Sequence, residues 1–240
     1  KAAFVTFPQA VPLKYALDEE NCLYLTRKRC GLCKKICPTD AVAFDQVPET
    51  VSLTVGAVVV STGFDLALTA HQGEYGFGRY RNVVTSLQYE RMLSATGPFG
   101  GHLQRPSDGR APVRVAWIQC VLSRDVARNR PFCSSVCCMH AAKQAVLTRS
   151  HLPDTETVIY FMDIRAHGKG FDDYIERARD QHGVVYRRSM ISQVYLNPQN
   201  ENLIIETFDH HQNRKIEEEY DLVVLSSGFK PHEGWNDLAR

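Results

Sequence analysis

The sequence predicts an α/β fold, a parallel sheet of the dinucleotide-binding (Rossmann) kind joined to a small ferredoxin-like module. Three observations point there. Apolar, β-branched runs such as Val158–Ile164 and Leu222–Leu225 alternate with stretches of helix formers, the pattern of strands buried on both faces between crossover helices. Cys22, Cys30, Cys33 and Cys37 stand in C-x7-C-x2-C-x3-C-P spacing, closed by Pro38. A second set, Cys120, Cys133, Cys137 and Cys138, falls where a dinucleotide fold would place its phosphate-binding turn.

Residues 1–50 are expected to form the small module. Phe4–Phe7 reads as a short strand ended by Pro8 and Pro12, and Val42–Phe44 as a return strand after the cysteine loop. Three thiols crowded into one turn, with a proline behind, suit an iron–sulfur cluster of the [4Fe–4S] type. A structural zinc is the alternative, although zinc ribbons favour two separated C-x2-C pairs. A disulfide framework is the other, but no secretory leader is expected and a chain of this length has no need of staples. In two-cluster ferredoxins the cysteine before the proline ligates the other cluster. Cys37 therefore either closes one site with Cys22 or belongs to a motif upstream of Lys1.

Residues 51–112 are expected to be part of a cofactor-binding domain and a connection. Val51–Val55 leads into Gly56–Val60, a continuous β-branched run that reads as a buried strand, and Thr62-Gly63 forms its exit turn. Open α/β sheets bind ligands at such carboxyl ends, although a glycine there can equally do no more than turn the chain. Glycines and prolines break up 66–112, which is expected to be surface loop around a short helix at Ser86–Ala95.

Residues 113–240 form the second lobe. Val113–Cys120 is a strand, Cys137–Thr148 a helix, Val158–Ile164 a strand, Phe171–His182 a helix stopped by Gly183, and Val184–Tyr186 a strand. Strands at Leu203–Phe208 and Tyr220–Leu225 flank the charged stretch His210–Glu219, which reads as a solvated hairpin loop. The first strand leads into Gln119-Cys120-Val121-Leu122-Ser123 and no G-x-G-x-x-G follows. Instead Cys120, Cys133, Cys137 and Cys138 can converge from one strand end and one helix N-terminus, where the helix dipole favours thiolates. A second cluster, a redox-active dithiol at Cys137–Cys138 and plain buried cysteines are the three readings of this set. His140 is a ligand, a flavin contact or an ordinary helix residue. Lys143 either faces solvent or places an ammonium beside a reduced flavin.

With 240 residues, a net charge of +1 and 44% hydrophobic content, the chain has length for a real core and no charge excess to recommend nucleic acid or an anionic membrane as partner. Its longest strongly apolar run, Val55–Val60, is too short for a transmembrane segment. Eight cysteines without a secretory signal suggest a cytoplasmic protein that ligates metal. The start at Lys1 is read as that of a fragment or processed product.

Several segments together resemble the A subunit of heterodisulfide reductase. They are Phe7–Pro12, Asn21–Thr26, Val60–Asp65, Gly100–His102, Arg105–Gly109, Ile118–Cys120, Cys133–Met139 and Tyr160–Ala166. The resemblance covers nearly the whole chain. It implies a thioredoxin-reductase-like FAD/NAD(P)-binding Rossmann lobe with an inserted ferredoxin-like α+β module, holding FAD and several [4Fe–4S] clusters. By the same resemblance both cysteine sets are cluster ligands, Thr62-Gly63 borders the flavin, and Lys143 is a flavin neighbour. The family serves flavin-based electron bifurcation coupled to reduction of the coenzyme M–coenzyme B disulfide. Its bacterial relatives exchange electrons with hydrogenases, NADH-linked modules, quinone-interacting complexes and ferredoxin. Two departures stand out: Leu122 replaces the glycine usual after Cys-Val, and the first βαβ unit that would hold the ADP half of FAD is missing, as is the C-terminal flavin segment. The expected function is thus electron transfer between FAD and clusters. A pyridine-nucleotide-disulfide reductase using Cys137 and Cys138, and a zinc-stabilised scaffold protein, are the rivals.

Overall fold

In the strand Arg114–Val121, Val115 and Trp117 lie on one face and Ala116 and Ile118 on the other, and all four are buried. A strand apolar on both faces needs a layer on each side of its sheet. The computed structural model, which describes residues 2–67, 73–209, 213–232 and 234–238, supplies both layers.

The chain divides into two units, Lys1–Val60 and Ser61–Arg240. In the first, β1 (Ala3–Phe4) pairs antiparallel with β2 (Ala16–Leu17), and two five-residue helices follow, α1 (Leu23–Arg27) and α2 (Leu32–Ile36). Helices this short are marginal on their own. Tyr24 stacks on Phe44 with ring centroids 3.8 Å apart.

The second unit runs β3 (Phe64–Leu66), β4 (Val83–Thr85), α3 (Ser86–Leu93), β5 (Arg114–Val121), α4 (Cys137–His151), β6 (Glu156–Phe161), α5 (Phe171–Asp180), β7 (Val185–Arg188), β8 (Ile191–Leu196), β9 (Leu203–Asp209), β10 (Arg214–Tyr220), β11 (Leu222–Ser227), β12 (Phe229–Pro231) and α6 (Trp235–Leu238). Five strands form a parallel sheet in the order β4-β11-β5-β6-β7. Val115, Trp117, Ile159 and Val224 pack under α3, α4 and α5 with Tyr89, Met92, Ala141 and Ala145. Ala116, Ile118, Tyr160, Val223 and Leu225 pack on the other face against the antiparallel meander β8-β9-β10 through Val194, Leu203 and Ile205. The result is a three-layer α/β fold.

Thr85 caps α3 by a reciprocal capping box with Gln88. Buried polar groups tie the helices to the sheet: Trp117 Nε1 donates to Gln144 Oε1 at 3.1 Å, Gln144 Nε2 donates to the Ser86 carbonyl at 2.8 Å, and the Tyr89 and Thr148 hydroxyls are 2.6 Å apart. At the amino ends of β5 and β11 Asp221 is a hub. Its Oδ2 accepts from the amides of Val113 and Arg114, and its Oδ1 from the buried Arg105.

Several expectations need correction. Val42–Phe44 and Val51–Val60 are not strands. A β-branched run forms a strand only against a neighbour that completes its ladder. Among the described residues none pairs with Val51–Val60, and Val58 and Val59 are 76% and 90% exposed. Strands β2, β3, β4, β8 and β12 were not foreseen; β4 is three residues long inside a glycine-broken stretch. The charged stretch read as a loop at His210–Glu219 is largely β10; residues 210–212 lie outside the described residues. Its Lys and Glu side chains suit the edge of an antiparallel sheet that keeps solvent at one side.

Candidate functional site

Strand order reverses at the boundary between β5 and β11: from β5 the chain builds outward through β6 and β7, and it returns to the other side with β11. In open α/β sheets the crevice beyond the carboxyl ends of two such strands is the ligand position. The second cysteine set stands there. Cys120 is the penultimate residue of β5, Cys133 sits in the following loop, and Cys137 and Cys138 open α4.

The chain reaches this arrangement through an unusual exit from β5. Cys120, Leu122 and Arg124 have φ of 60°, 55° and 61°, and Ser135 has 64°. Each non-glycine residue in the left-handed region costs about 1–2 kcal/mol, so the surroundings must hold it. They do. The Ser123 hydroxyl donates to the Phe132 carbonyl at 3.1 Å and lies 3.2 Å from the Ser134 hydroxyl, and the Arg124 amide donates to Phe132 O at 2.9 Å. Across the crevice β11 ends at Ser227-Gly228. A Cβ on Gly228 would stand 2.4 Å from the Leu122 carbonyl oxygen, so the two chain exits can pass only because residue 228 is glycine. The Phe229 amide donates to Ser134 Oγ at 3.1 Å, which ties β12 to the cysteine loop.

The four thiols lie in one another's electrostatic field. Burial pushes the Cys137 thiol up to about 12, with Cys120, Cys138 and Cys133 adding to the rise. Burial likewise raises Cys120 and Cys138. Cys137 Sγ is 3.9 Å from the Ser227 carbonyl, and the Arg165 amide donates to Cys138 Sγ at 3.4 Å. All eight cysteines are free thiols. Val136, the residue before α4, offers no side-chain cap to the first-turn amides.

The first set is arranged differently. Cys22 is buried at the N-cap of α1, Cys30 is exposed with φ 81°, Cys33 lies in α2 and Cys37 ends it. Gly31 has φ 71° and passes under the Tyr24 ring. Thr39 and the Ala41 amide, at 3.5 and 3.3 Å from Cys37 Sγ, hold that thiol below its ordinary range. Cys33 and Cys37 line a cavity of about 870 Å³, and Arg27, Lys28, Arg29, Lys34 and Lys35 lie near these cysteines in the sequence. Among the described residues no three His, Cys, Asp or Glu side chains stand close enough together to hold a metal ion without some rearrangement.

Lys143 on α4 is ion-paired to Glu90 of α3, and Glu90 Oε2 accepts from Gln144 at 3.1 Å and lies 3.5 Å from His140 Nε2. Burial works against the Glu90 charge, but the hydrogen bonds from Lys143 and Gln144 outweigh it and hold the carboxyl below its usual range. Burial lowers His140. Thr62 and Gly63 are exposed and precede β3, which pairs with β12; Phe64 stacks on Phe229 at 3.9 Å, and Gly63 has φ 76° with open space where a Cβ would stand. Glu90, Arg124 and Gly228 escaped sequence reasoning, because each acts on a residue far away in the chain.

No family model matches the chain. It is 44% identical over its whole length to the iron-sulfur A subunit of CoB–CoM heterodisulfide reductase from Methanocaldococcus jannaschii, of which it covers 36%. It is 44% identical over its whole length to the A subunit of the H(2)/formate:CoB-CoM heterodisulfide,ferredoxin reductase of Methanococcus maripaludis, covering 36%. It is 38% identical over its whole length to the A subunit of the ferredoxin/F(420)H(2)-dependent CoB-CoM heterodisulfide reductase of Methanosarcina acetivorans, covering 29%. The chain thus spans about a third of the length of these curated relatives. Among solved structures, thioredoxin reductase of T. acidophilum aligns with 71% of the chain and 43% of its own, at a TM-score of 0.41 and 13% identity. Among the described residues no helix is long and apolar enough to cross a membrane.

Proposed function

The chain belongs to the family of heterodisulfide reductase A subunits, and from that premise we propose that it is an electron-transfer segment passing electrons between FAD and [4Fe–4S] clusters. The convergence of four thiols on the switch point of the parallel sheet carries this reading. Cys120, Cys133, Cys137 and Cys138 would hold one cluster, and Cys22, Cys30, Cys33 and Cys37 a second. A cluster of this kind supplies one-electron storage at thiolate-bound iron.

The protein's own residues define the setting. The strained exit of β5 fixes Cys120, the Ser123–Phe132–Ser134 hydrogen bonds fix the loop that carries Cys133, and the first turn of α4 presents Cys137 and Cys138 together with unsatisfied amides that favour negative charge. Leu122 and the Ser227-Gly228 exit close the sheet side against water. Lys143, oriented by Glu90, offers a fixed cation to an anionic isoalloxazine, and Thr62-Gly63 borders the same flavin, Gly63 leaving room for close approach. In the first unit the local excess of Lys and Arg at 27–35 favours docking of an acidic electron partner such as a ferredoxin or a hydrogenase- or NADH-linked module, and other heterodisulfide reductase subunits complete the path. Reduction of the CoB–CoM heterodisulfide, or a related bifurcating exchange, is the activity this path would serve.

Iron, sulfide, zinc and flavin analysis of the anaerobically purified full-length protein tests the proposal, comparing wild type with Cys137→Ser and Cys30→Ser. Each variant should lose about four iron and four sulfide per chain. Unchanged iron in either variant removes that site, and zinc without sulfide overturns the electron-transfer role.

A further inference from the structure

Resting on the assignment of a cluster to Cys120, Cys133, Cys137 and Cys138, we propose that Arg124, Asp163 and Arg165 form a charged arch over that cluster and set its reduction potential.

The arch joins the loops that leave two adjacent strands. Arg124 stands three residues beyond β5, and Asp163 and Arg165 two and four residues beyond β6. The Arg124 backbone is held in its left-handed conformation by the hydrogen bond to Phe132 O, and this aims the guanidinium across the loops. There it pairs with the Asp163 carboxylate, and its positive charge acts on the Cys120 thiol. Asp163 Oδ2 lies 3.5 Å from Arg165 Nε, and the backbone amide of Arg165 donates to Cys138 Sγ at 3.4 Å. One continuous polar chain therefore runs across two loops, from a cation in the field of Cys120 to a backbone donor on Cys138. The Arg124 side chain is only 22% exposed, so solvent screens its charge incompletely. Both Arg124 and Cys120 line a cavity of about 290 Å³.

An electron added to a cluster adds one negative charge. Donors to the ligating sulfurs and a nearby cation stabilise the reduced form and raise the potential. Asp163 holds the same guanidinium in place but contributes a negative charge of its own. The arch therefore predicts shifts of opposite sign. Arg124→Gln removes the cation and lowers the midpoint. Arg124→Lys keeps the charge but loses the planar fork that grips the Asp163 carboxylate, and falls between wild type and Arg124→Gln. Asp163→Asn removes the opposing charge and raises the midpoint.

The test is an EPR-monitored redox titration of the full-length protein, reduced with dithionite, in wild type and the three variants, with iron content measured alongside. The cluster of Cys22, Cys30, Cys33 and Cys37 serves as internal reference and should not move. The order Asp163→Asn above wild type, above Arg124→Lys, above Arg124→Gln supports the arch. Equal midpoints, or shifts of the same sign for Arg124→Gln and Asp163→Asn with iron retained, overturn it. Should Arg124→Gln lose its iron, opposite shifts in Arg124→Lys and Asp163→Asn still support the proposal, and loss of iron in these two as well overturns it in favour of a purely structural role. If Cys137→Ser keeps all its iron, the cluster assignment fails, and that result is read independently of the arch.

Discussion

The two cysteine sets contrast in what holds them. Cys120, Cys137 and Cys138 stand at the end of a sheet whose strands are buried on both faces, so tertiary packing sets the backbone that carries them. Cys22, Cys30, Cys33 and Cys37 sit in or beside two five-residue helices that bury none of their own residues, in a segment rich in cations. The first kind of site is built by tertiary packing. The second has little apolar burial, and on the cluster reading it is expected to order around what it binds.

The sharpest way to break this contrast is to remove one ligand from each set. Cys137→Ser should lose its iron yet keep near-native far-UV circular dichroism, since the parallel sheet remains. Cys30→Ser should lose its iron and also open the loop to trypsin at Arg27, Lys28, Arg29, Lys34 and Lys35. Equal protease resistance in both variants would show that the first set is as self-supporting as the second.

Gly228→Ala asks whether the sheet really shapes the second site. The new Cβ meets the Leu122 carbonyl at 2.4 Å, so one chain exit must shift, at a cost of roughly 1–3 kcal/mol. Chemical denaturation should report that loss, together with weakened iron retention by Cys120. The corresponding change in the small unit, Gly31→Ala, strains a residue at φ 71° by about 1–2 kcal/mol and crowds Tyr24 at 3.3 Å. On the proposal that this unit orders around a cluster, the effect should appear as faster loss of iron from the first set alone, followed by chelation kinetics.

The smallest expected effect is at acid pH. Burial disfavours the Glu218 carboxylate, but the Tyr160 hydroxyl and Arg187 hold it below its usual range. A depressed carboxyl stabilises the fold at pH above its unfolded value, near 4.5, and that contribution is lost as pH falls through the folded value. Glu218→Gln should therefore flatten the acid limb of the larger unit's stability profile below about pH 4.5. An unchanged limb would mean that other carboxylates govern acid unfolding.

Strands β5, β6 and β11 and helices α4 and α5 were legible in the sequence, because period and composition agree over six or more residues. Strand β10 was not: Arg214–Tyr220 is too charged to resemble a strand until β9 is beside it. The opposite error arose at Val51–Val60, where β propensity is high but the described residues supply no ladder partner. The cysteine spacings exposed both candidate sites. Their surroundings stayed hidden, since Glu90 meets Lys143 across 53 residues and Arg124 meets Asp163 across 39. Such pairings are set by sheet order, not by local pattern.

Asp221 clips the amino ends of β5 and β11 together, with Arg105 locked against it, at the edge of the sheet opposite the cysteines. Loops at the carboxyl edge can therefore be exchanged, lengthened or recoded without disturbing the clasp that sets strand register. The same scaffold is open to grafting: a dinucleotide turn or a different ligand set could be written between Val121 and Cys137 while the opposite edge keeps the sheet intact.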